Sequence, residues 1–193
     1  MAFNREANVL VSGSYDSTLR FWDLRSSSFG SIQTVKDAKD SISSVEINDC
    51  EILCGSVDGF IRLYDIRVGR VIQDNTTFPV TNISYSHDKN CILVSNLDST
   101  LRLLDKDSGE LLNDYKGHIN VKYKISSCLD NTDAYVLSGS EDNLIYVWDL
   151  VDAKIEKKIS GHTNVVTSLA YHPKDSEFIS GSVDGTLKIW RSL

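Results

Sequence analysis

Three polar side chains in this 193-residue sequence have the types that a serine hydrolase uses to activate its nucleophile. His118, Ser138 and Asp142 supply an imidazole, a hydroxyl and a carboxylate, and Trp148 follows them. The same four residue types can instead form a structural chain of hydrogen bonds. In such a chain the carboxylate orients the imidazole, the imidazole contacts the hydroxyl, and the hydroxyl meets the indole N–H.

A second copy of the set favours the structural interpretation. His162, Ser180, Asp184 and Trp190 repeat the order one period later, which a single catalytic centre would not require. The sequence has no G-x-S-x-G elbow, and a Trp stands where a nucleophilic serine would need access. We therefore predict two structural tetrads and no catalytic residue.

The tetrads are part of a repeat that runs along the whole chain. In each copy an aspartate precedes a short apolar segment, as in "DGFIRLYD" from residue 58 and "DNLIYVWD" from residue 142. These aspartates are 42, 40, 44 and 42 residues apart, a period typical of propeller blades or helical solenoids. The five turn aspartates are Asp16, Asp58, Asp98, Asp142 and Asp184.

Turn residues divide each repeat into segments of strand length. Residues 161–190 contain an alternating segment, the polar turn "HPKDS", the segment "EFISGS", an Asp-Gly turn and "TLKIW". A further segment such as "KIEKKIS" at 154–160 supplies a fourth strand. Four strands per period exclude helix-pair solenoids and predict an all-β propeller. The segment "RSSSFGS" at 25–31 is predicted to be an enlarged surface loop.

Composition limits the classes of partner. The net charge of -7 argues against broad capture of nucleic acid or anionic membranes. There is no apolar run of about 18 residues, and "MAFNREANVL" lacks the features of a secretory signal. We expect cytoplasmic and nuclear localisation, with no membrane, small-molecule substrate or cofactor.

The Gly-His pairs, turn aspartates and Trp-Asp endings at this spacing resemble the WD-repeat β-propellers. The stretches 51–69, 97–118 and 127–151 are similar to a subfamily of WD-repeat scaffolds. That resemblance implies a scaffold that holds members of a mitogen-activated protein kinase cascade and associates with the pre-mRNA splicing machinery. Adaptors of other complexes, such as ubiquitin ligases or RNA-processing assemblies, are the alternative.

Three repeats depart from the family's pattern. The first has no Gly-His within the chain, the second has "AKDS" with Tyr64 in place of Trp, and the third has "TFPV" with Leu104. We expect those three repeats to depend more on apolar packing between sheets.

Propellers of the family usually have seven blades, and this chain supplies about five four-stranded blades. We therefore expect one incomplete propeller over residues 1–193, either truncated, a short isoform, or a smaller ring with another closure, and truncation is favoured. The final blade is expected to have no outermost strand. The approximate blade ranges are 1–37, 38–77, 78–117, 118–161 and 162–193.

The usual docking surface of the family carries the connections before each first strand and the hairpin turns with the aspartates. Phe78 and Pro79 are the most suggestive pair, because an exposed aromatic beside a stiff proline makes a good anchor. The other candidates in the connections are Lys39, Asp40, Ile119, Asn120, Thr163 and Asn164, and those beside the turns are Tyr15, Val57, Leu97, Glu141 and Val183.

Two other site types were weighed against this surface. The metal-site candidates show no paired ligand spacing, and we predict no metal: they are Cys50, Cys54, Cys91, Cys128, His87, His118, His162 and His172. Basic residues recur two positions before the Trp-type residue in four of the five repeats and could contact RNA, but we expect their stems to run between blades with their heads on water or a neighbouring acid. These residues are Arg20, Arg62, Arg102 and Lys188.

Overall fold

The computed structural model describes residues 1–27 and 30–191. In those ranges it contains nineteen β-strands and no α-helix, so no helix there is long and apolar enough to cross a membrane. The strands form five antiparallel sheets, four with four strands and one with three. This confirms the prediction of an all-β chain of blade-like sheets. Parts of two predicted segments, residues 28–29 of the loop at 25–31 and residues 192–193 of the last blade, lie outside the described residues.

The first compact unit, residues 1–83, contains two complete sheets and the start of a third. In both sheets the strands lie side by side in chain order. The first sheet consists of β1 (Ala2–Phe3), β2 (Val9–Gly13), β3 (Leu19–Asp23) and β4 (Gln33–Val35). The second consists of β5 (Ile42–Asn48), β6 (Glu51–Ser56), β7 (Phe60–Asp65) and β8 (Arg70–Asn75).

Apolar packing between these two sheets makes the core of the first unit. Val11, Leu19 and Phe21 lie on one face of the first sheet and pack with Val45 and Ile52 of the second, and all five are buried. Successive strand residues point to opposite faces, so this contact uses alternate residues of β2 and β3.

The second compact unit, residues 84–193, contains the remainder of the third sheet and two further sheets. The third sheet consists of β9 (Val80–Tyr85), which begins in the first unit, β10 (Cys91–Asn96), β11 (Thr100–Asp105) and β12 (Leu111–Lys116). The fourth consists of β13 (Ser127–Leu129), β14 (Tyr135–Gly139), β15 (Leu144–Asp149) and β16 (Ile155–Ser160). The fifth consists of β17 (Val166–Tyr171), β18 (Glu177–Ser182) and β19 (Leu187–Arg191).

The fourth sheet is buried on both faces. Val136 and Trp148 belong to a cluster shared with the third sheet, whereas Leu137 and Val147 belong to one shared with Phe178 of the fifth. Apolar residues on both faces of β14 and β15 are therefore explained by a neighbouring sheet on each side.

Each sheet lies within one of the five predicted blade ranges. The fifth has three strands among the described residues. One face of this sheet exposes Ile179, Leu187 and Ile189. The fourth sheet differs from the second, third and fifth at its start, because β13 is only three residues long and follows a non-strand segment at 117–126.

Close packing of two sheets depends on a glycine in β14. A Cβ added to Gly139 would lie 2.2 Å from the Val166 carbonyl oxygen, whereas one added to Gly181, the equivalent position in β18, would find its nearest atom at 3.3 Å in the Leu187 side chain. We expect Gly139→Ala to lower the free energy of unfolding by about 1–3 kcal/mol, because backbone must move. Gly181→Ala, the matched control, should change it by less than about 0.5 kcal/mol. Urea titration measures both, and equal effects would contradict this packing.

Candidate functional site

The five turn aspartates adopt one local geometry. In each turn a carboxylate oxygen of the aspartate accepts a hydrogen bond from the backbone N–H two residues later, at 2.9–3.2 Å. The residue between them has a positive φ of 58° to 83°, which Gly and Asn adopt readily and Ser does less often. These intervening residues are Ser17, Gly59, Ser99, Asn143 and Gly185.

The fifth sheet forms the predicted tetrad. His162 Nδ1 lies 3.1 Å from Asp184 Oδ2, which makes this nitrogen the donor, and Nε2 accepts from the Ser180 hydroxyl at 2.7 Å. The Trp190 indole N–H donates to the same hydroxyl oxygen at 2.8 Å. Hydrogen bonds from the Thr186 hydroxyl and the Thr163 backbone N–H hold the pKa of Asp184 well below its usual range.

This tetrad has the connectivity of a catalytic relay but not its accessibility. Ser180 is fully buried, and its hydroxyl is engaged by both an imidazole and an indole. A nucleophile must reach a substrate carbonyl, and this hydroxyl has no open side. The geometry therefore supports a structural role for His162, Ser180 and Asp184.

The fourth sheet does not form the second predicted tetrad. His118 is 97% buried with neither ring nitrogen hydrogen-bonded among the described residues, and its ring meets that of Trp148 edge-on at 5.4 Å. The Ser138 hydroxyl donates to the Gly139 carbonyl at 2.9 Å. The Trp148 indole donates to the Lys116 carbonyl at 3.1 Å. The four residues share a neighbourhood but not the predicted hydrogen-bond chain.

A competing donor explains the difference. The phenol of Tyr146 donates to Asp142 Oδ2 at 2.7 Å, the oxygen that would otherwise face the imidazole. The backbone N–H of Ile119 donates to the Ser140 hydroxyl at 3.0 Å, whereas the equivalent N–H of Thr163 donates to the turn aspartate. Because His118 is buried without a partner, desolvation lowers its pKa to about 4.

An arginine replaces the histidine in the second sheet. Arg62 donates to Asp58 Oδ2 at 2.8 Å and to the Ser56 hydroxyl at 2.6 Å, and Ser56 also donates to Asp58. The ion pair is almost completely buried. Burial opposes ionisation, but the hydrogen bonds from Arg62 and Ser56 hold the pKa of Asp58 well below its usual range.

The other basic residues predicted to lie between blades bind the turn aspartate of their own repeat or, in the case of Lys188, the residue that directly precedes its repeat. Arg102 donates to Asp98 at 2.5 Å and to Asn96 at 2.8 Å, and Arg20 donates to Asp16 at 2.6 Å. Lys188 donates to the Gly161 carbonyl. The expectation that the first three repeats depend more on apolar packing was incomplete, since in all three an arginine also binds the turn aspartate.

Most of the predicted partner-binding residues lie on the surface. Phe78 is 43% exposed and Ile119 is 45% exposed, and Pro79 is partly exposed. Asn120 is a correction, because it is fully buried, with its backbone N–H donating to the Ser99 hydroxyl at 2.9 Å. Further exposed members of the predicted surface are Lys39, Asp40, Thr163, Asn164, Tyr15 and Val183.

Three of the residues beside the turns, Val57, Leu97 and Glu141, are half-buried. Glu141 does more than border the surface, since its carboxylate is bonded to the neighbouring loop. Glu141 directly follows Ser140, and nothing in this short sequence pattern indicates that its carboxylate binds a loop. This role was therefore not predicted from the sequence.

The cysteines and histidines do not form a metal centre among the described residues. No group of three or more His, Cys, Asp or Glu side chains in those ranges has an arrangement that could hold an ion, and the four cysteines are free thiols. Burial raises the pKa of Cys54 and of Cys128 to about 12, so both thiols stay protonated and unreactive at neutral pH.

Comparison with known proteins agrees with this geometry. The family described as "WD domain, G-beta repeat" matches residues 1–23, 109–149 and 153–191. The chain belongs to the WD-repeat family. Its fold is therefore that of WD-repeat β-propeller blades.

Individual WD-repeat relatives cover nearly the whole chain. It is 37% identical to WD repeat domain-containing protein 83 homolog of Dictyostelium discoideum over 97% of this chain and 66% of that protein. It is 49% identical to WD repeat domain-containing protein 83 of Rattus norvegicus over 83% of this chain and 50% of that protein. The chain thus spans about half to two thirds of these relatives' lengths.

A solved structure supports the same fold. The computationally designed Ika8 protein superposes with a TM-score of 0.78 at 26% identity, over 95% of this chain and 55% of that one.

The unpaired buried imidazole predicts a pH-dependent stability. The pKa of His118 falls from about 6.5 to about 4 on folding, so its contribution is fully present above pH 6.5 and is lost as pH falls towards 4. The loss should be about 3 kcal/mol. His118→Phe should remove this slope from urea-derived unfolding free energies between about pH 7 and 4. His172→Phe, at an exposed histidine, should keep it, and identical slopes in wild type and His118→Phe would refute the assignment.

Proposed function

We propose that the chain is a non-enzymatic scaffold whose loops bind other proteins. The supporting observation is that the residues able to do chemistry are used inside the sheets. Ser180 and His162 are buried in the tetrad, and Arg62 is buried on Asp58. The side chains left exposed at the connections and turns include Phe78, Ile119 and other apolar groups, which suit protein contacts.

The proposed partners are components of a mitogen-activated protein kinase cascade, of the pre-mRNA splicing machinery, or of both. The stretches that resemble a subfamily of WD-repeat scaffolds support this choice, whereas the similarity to proteins named WD repeat domain-containing protein 83 supports only the broader WD-repeat scaffold role. We propose nuclear localisation for a role in pre-mRNA splicing and cytoplasmic localisation for a role in the kinase cascade. An adaptor role in another multiprotein complex is the alternative within the same class.

Direct RNA binding has less support. An RNA-binding face requires accessible cations, whereas Arg62 is 2% exposed and Arg102 is 19% exposed, each on an aspartate of its own turn. The net charge of -7 also opposes a polyanion. Protein partners therefore fit the surface better.

The proposal predicts that the chain binds at least one of the two sets of partner proteins and that Phe78 contributes to this binding. Immobilised wild-type chain should retain purified kinase-cascade components, spliceosome components, or both, when each set is applied separately. Phe78→Ser should weaken retention roughly tenfold if this connection is used, because exposed aromatics dominate such contacts. Val68→Ser is the matched control, since Val68 is 73% exposed in the turn that precedes β8, whereas Phe78 lies in the connection that follows β8.

The affinity of each retained component for wild type, Phe78→Ser and Val68→Ser is then measured. Retention of neither set, or equal weakening by Phe78→Ser and Val68→Ser, would contradict the proposed scaffold surface. A steep loss of affinity for RNA with added salt would instead revive the nucleic-acid alternative.

A further inference from the structure

The segment between β12 and β13 is the largest departure from the repeat. Eight residues, 119–126, separate His118 from β13, whereas three, 163–165, separate His162 from β17. The additional length forms a loop that alternates apolar and basic residues, "VKYK" at 121–124. Val121 is 54% exposed and Tyr123 is 42% exposed, and both lysines are exposed. We call residues 121–124 the basic loop.

A single carboxylate binds the backbone of the basic loop. Glu141 Oε1 accepts the backbone N–H groups of Val121, Lys122 and Tyr123 at 2.7, 2.6 and 3.1 Å. Burial opposes ionisation of Glu141, but these three donors lower its pKa below the usual value. Three N–H groups that converge on one oxygen fix the backbone conformation of residues 121–123, and the Lys122 ammonium also favours the charged form of Glu141.

Both ends of the basic loop are also fixed. Asn120 and Ile125 flank it and are fully buried. The backbone of Asn120 is hydrogen-bonded to Ser99, and Ile119 is hydrogen-bonded to the turn at Ser140 and Glu141. Exposed apolar side chains on a backbone that is already ordered lose little conformational entropy on binding, which favours their use as anchors.

The charges of the basic loop select the kind of partner. Two ammonium groups, on Lys122 and Lys124, project from a protein of net charge -7. Partial desolvation by surrounding protein lowers the pKa of Lys124, so a carboxylate beside this ammonium would interact in a partly dried environment. Val121 and Tyr123, which alternate with the lysines, need apolar partners at the spacing of alternate residues.

We propose that the basic loop is a docking surface for an acidic peptide segment that carries apolar side chains, supplied by a partner protein. The peptide's carboxylates pair with Lys122 and Lys124, and its apolar side chains cover Val121 and Tyr123. Glu141 acts as a positioning residue. This inference rests on the proposed scaffold function and names one of its surfaces.

The test uses the full chain and a displayed library of random peptides of roughly twelve residues. Selection on wild type should enrich acidic peptides that contain aromatic or aliphatic residues. Fluorescence anisotropy with the enriched peptides should show at least tenfold weaker binding to the charge-reversal variant Lys122→Glu/Lys124→Glu and to Tyr123→Ser. Lys157→Glu, at an exposed lysine of β16, is the matched control and should leave affinity unchanged.

Glu141→Ala distinguishes the positioning of the loop backbone by Glu141 from direct contact between the loop side chains and the peptide. It should weaken peptide binding and increase hydrogen exchange at the amides of residues 121–123, whereas Tyr123→Ser should weaken binding with those amides still protected. Unchanged affinity in the loop variants, enrichment of peptides without acidic residues, or no enrichment at all would each overturn the inference. The scaffold proposal fails separately, through loss of the kinase-cascade and spliceosome components in the retention experiment.

Discussion

One carboxylate in the hairpin turn between the second and third strands of each sheet is the contact on which the rest of the structure depends. One of its oxygens always caps the turn by accepting the backbone N–H two residues later. The other oxygen needs a second donor from the same repeat, and the chain supplies three kinds. Those donors are Arg20, Arg62 and Arg102 in the first three sheets, Tyr146 in the fourth and His162 in the fifth.

Every repeat therefore supplies a donor to the second oxygen of its turn aspartate, but the residue that supplies it differs between repeats. In the second sheet Arg62, four residues after the aspartate, binds the carboxylate in place of an imidazole. Its guanidinium also lies over the ring of Phe60, 5.1 Å from the ring centroid. In the fourth sheet a phenol satisfies the carboxylate, so the histidine retained at position 118 is left buried and unpaired. Burial disfavours the protonated form of this imidazole more than its neutral form, and that difference is the source of the pH sensitivity assigned to His118.

Sequence reasoning could predict the fold because its evidence is periodic and local. The spacing of the turn aspartates, the strand-length segments and the turn residues all recur, and the complete tetrad at His162 follows from the same pattern. The predicted tetrad at His118 was wrong because of two features that do not recur in the other repeats. Tyr146 replaces a basic residue, and the longer segment after His118 changes which backbone N–H reaches the turn. The arginine clamp had a sequence signal, Asp-x-x-x-Arg, but its burial became evident only with the sheets in place.

Because each turn aspartate receives its second donor within its own repeat, these carboxylates are not available to partners and the loops remain for them. The most direct test is a double-mutant cycle on the free energy of unfolding for Asp58→Ala and Arg62→Ala, with Asp16→Ala and Arg20→Ala as the exposed counterpart of the same spacing. The account predicts a coupling energy of about 2 kcal/mol or more for the buried pair and a much smaller one for the exposed pair. A buried pair that couples no more strongly than the exposed one would contradict the central claim.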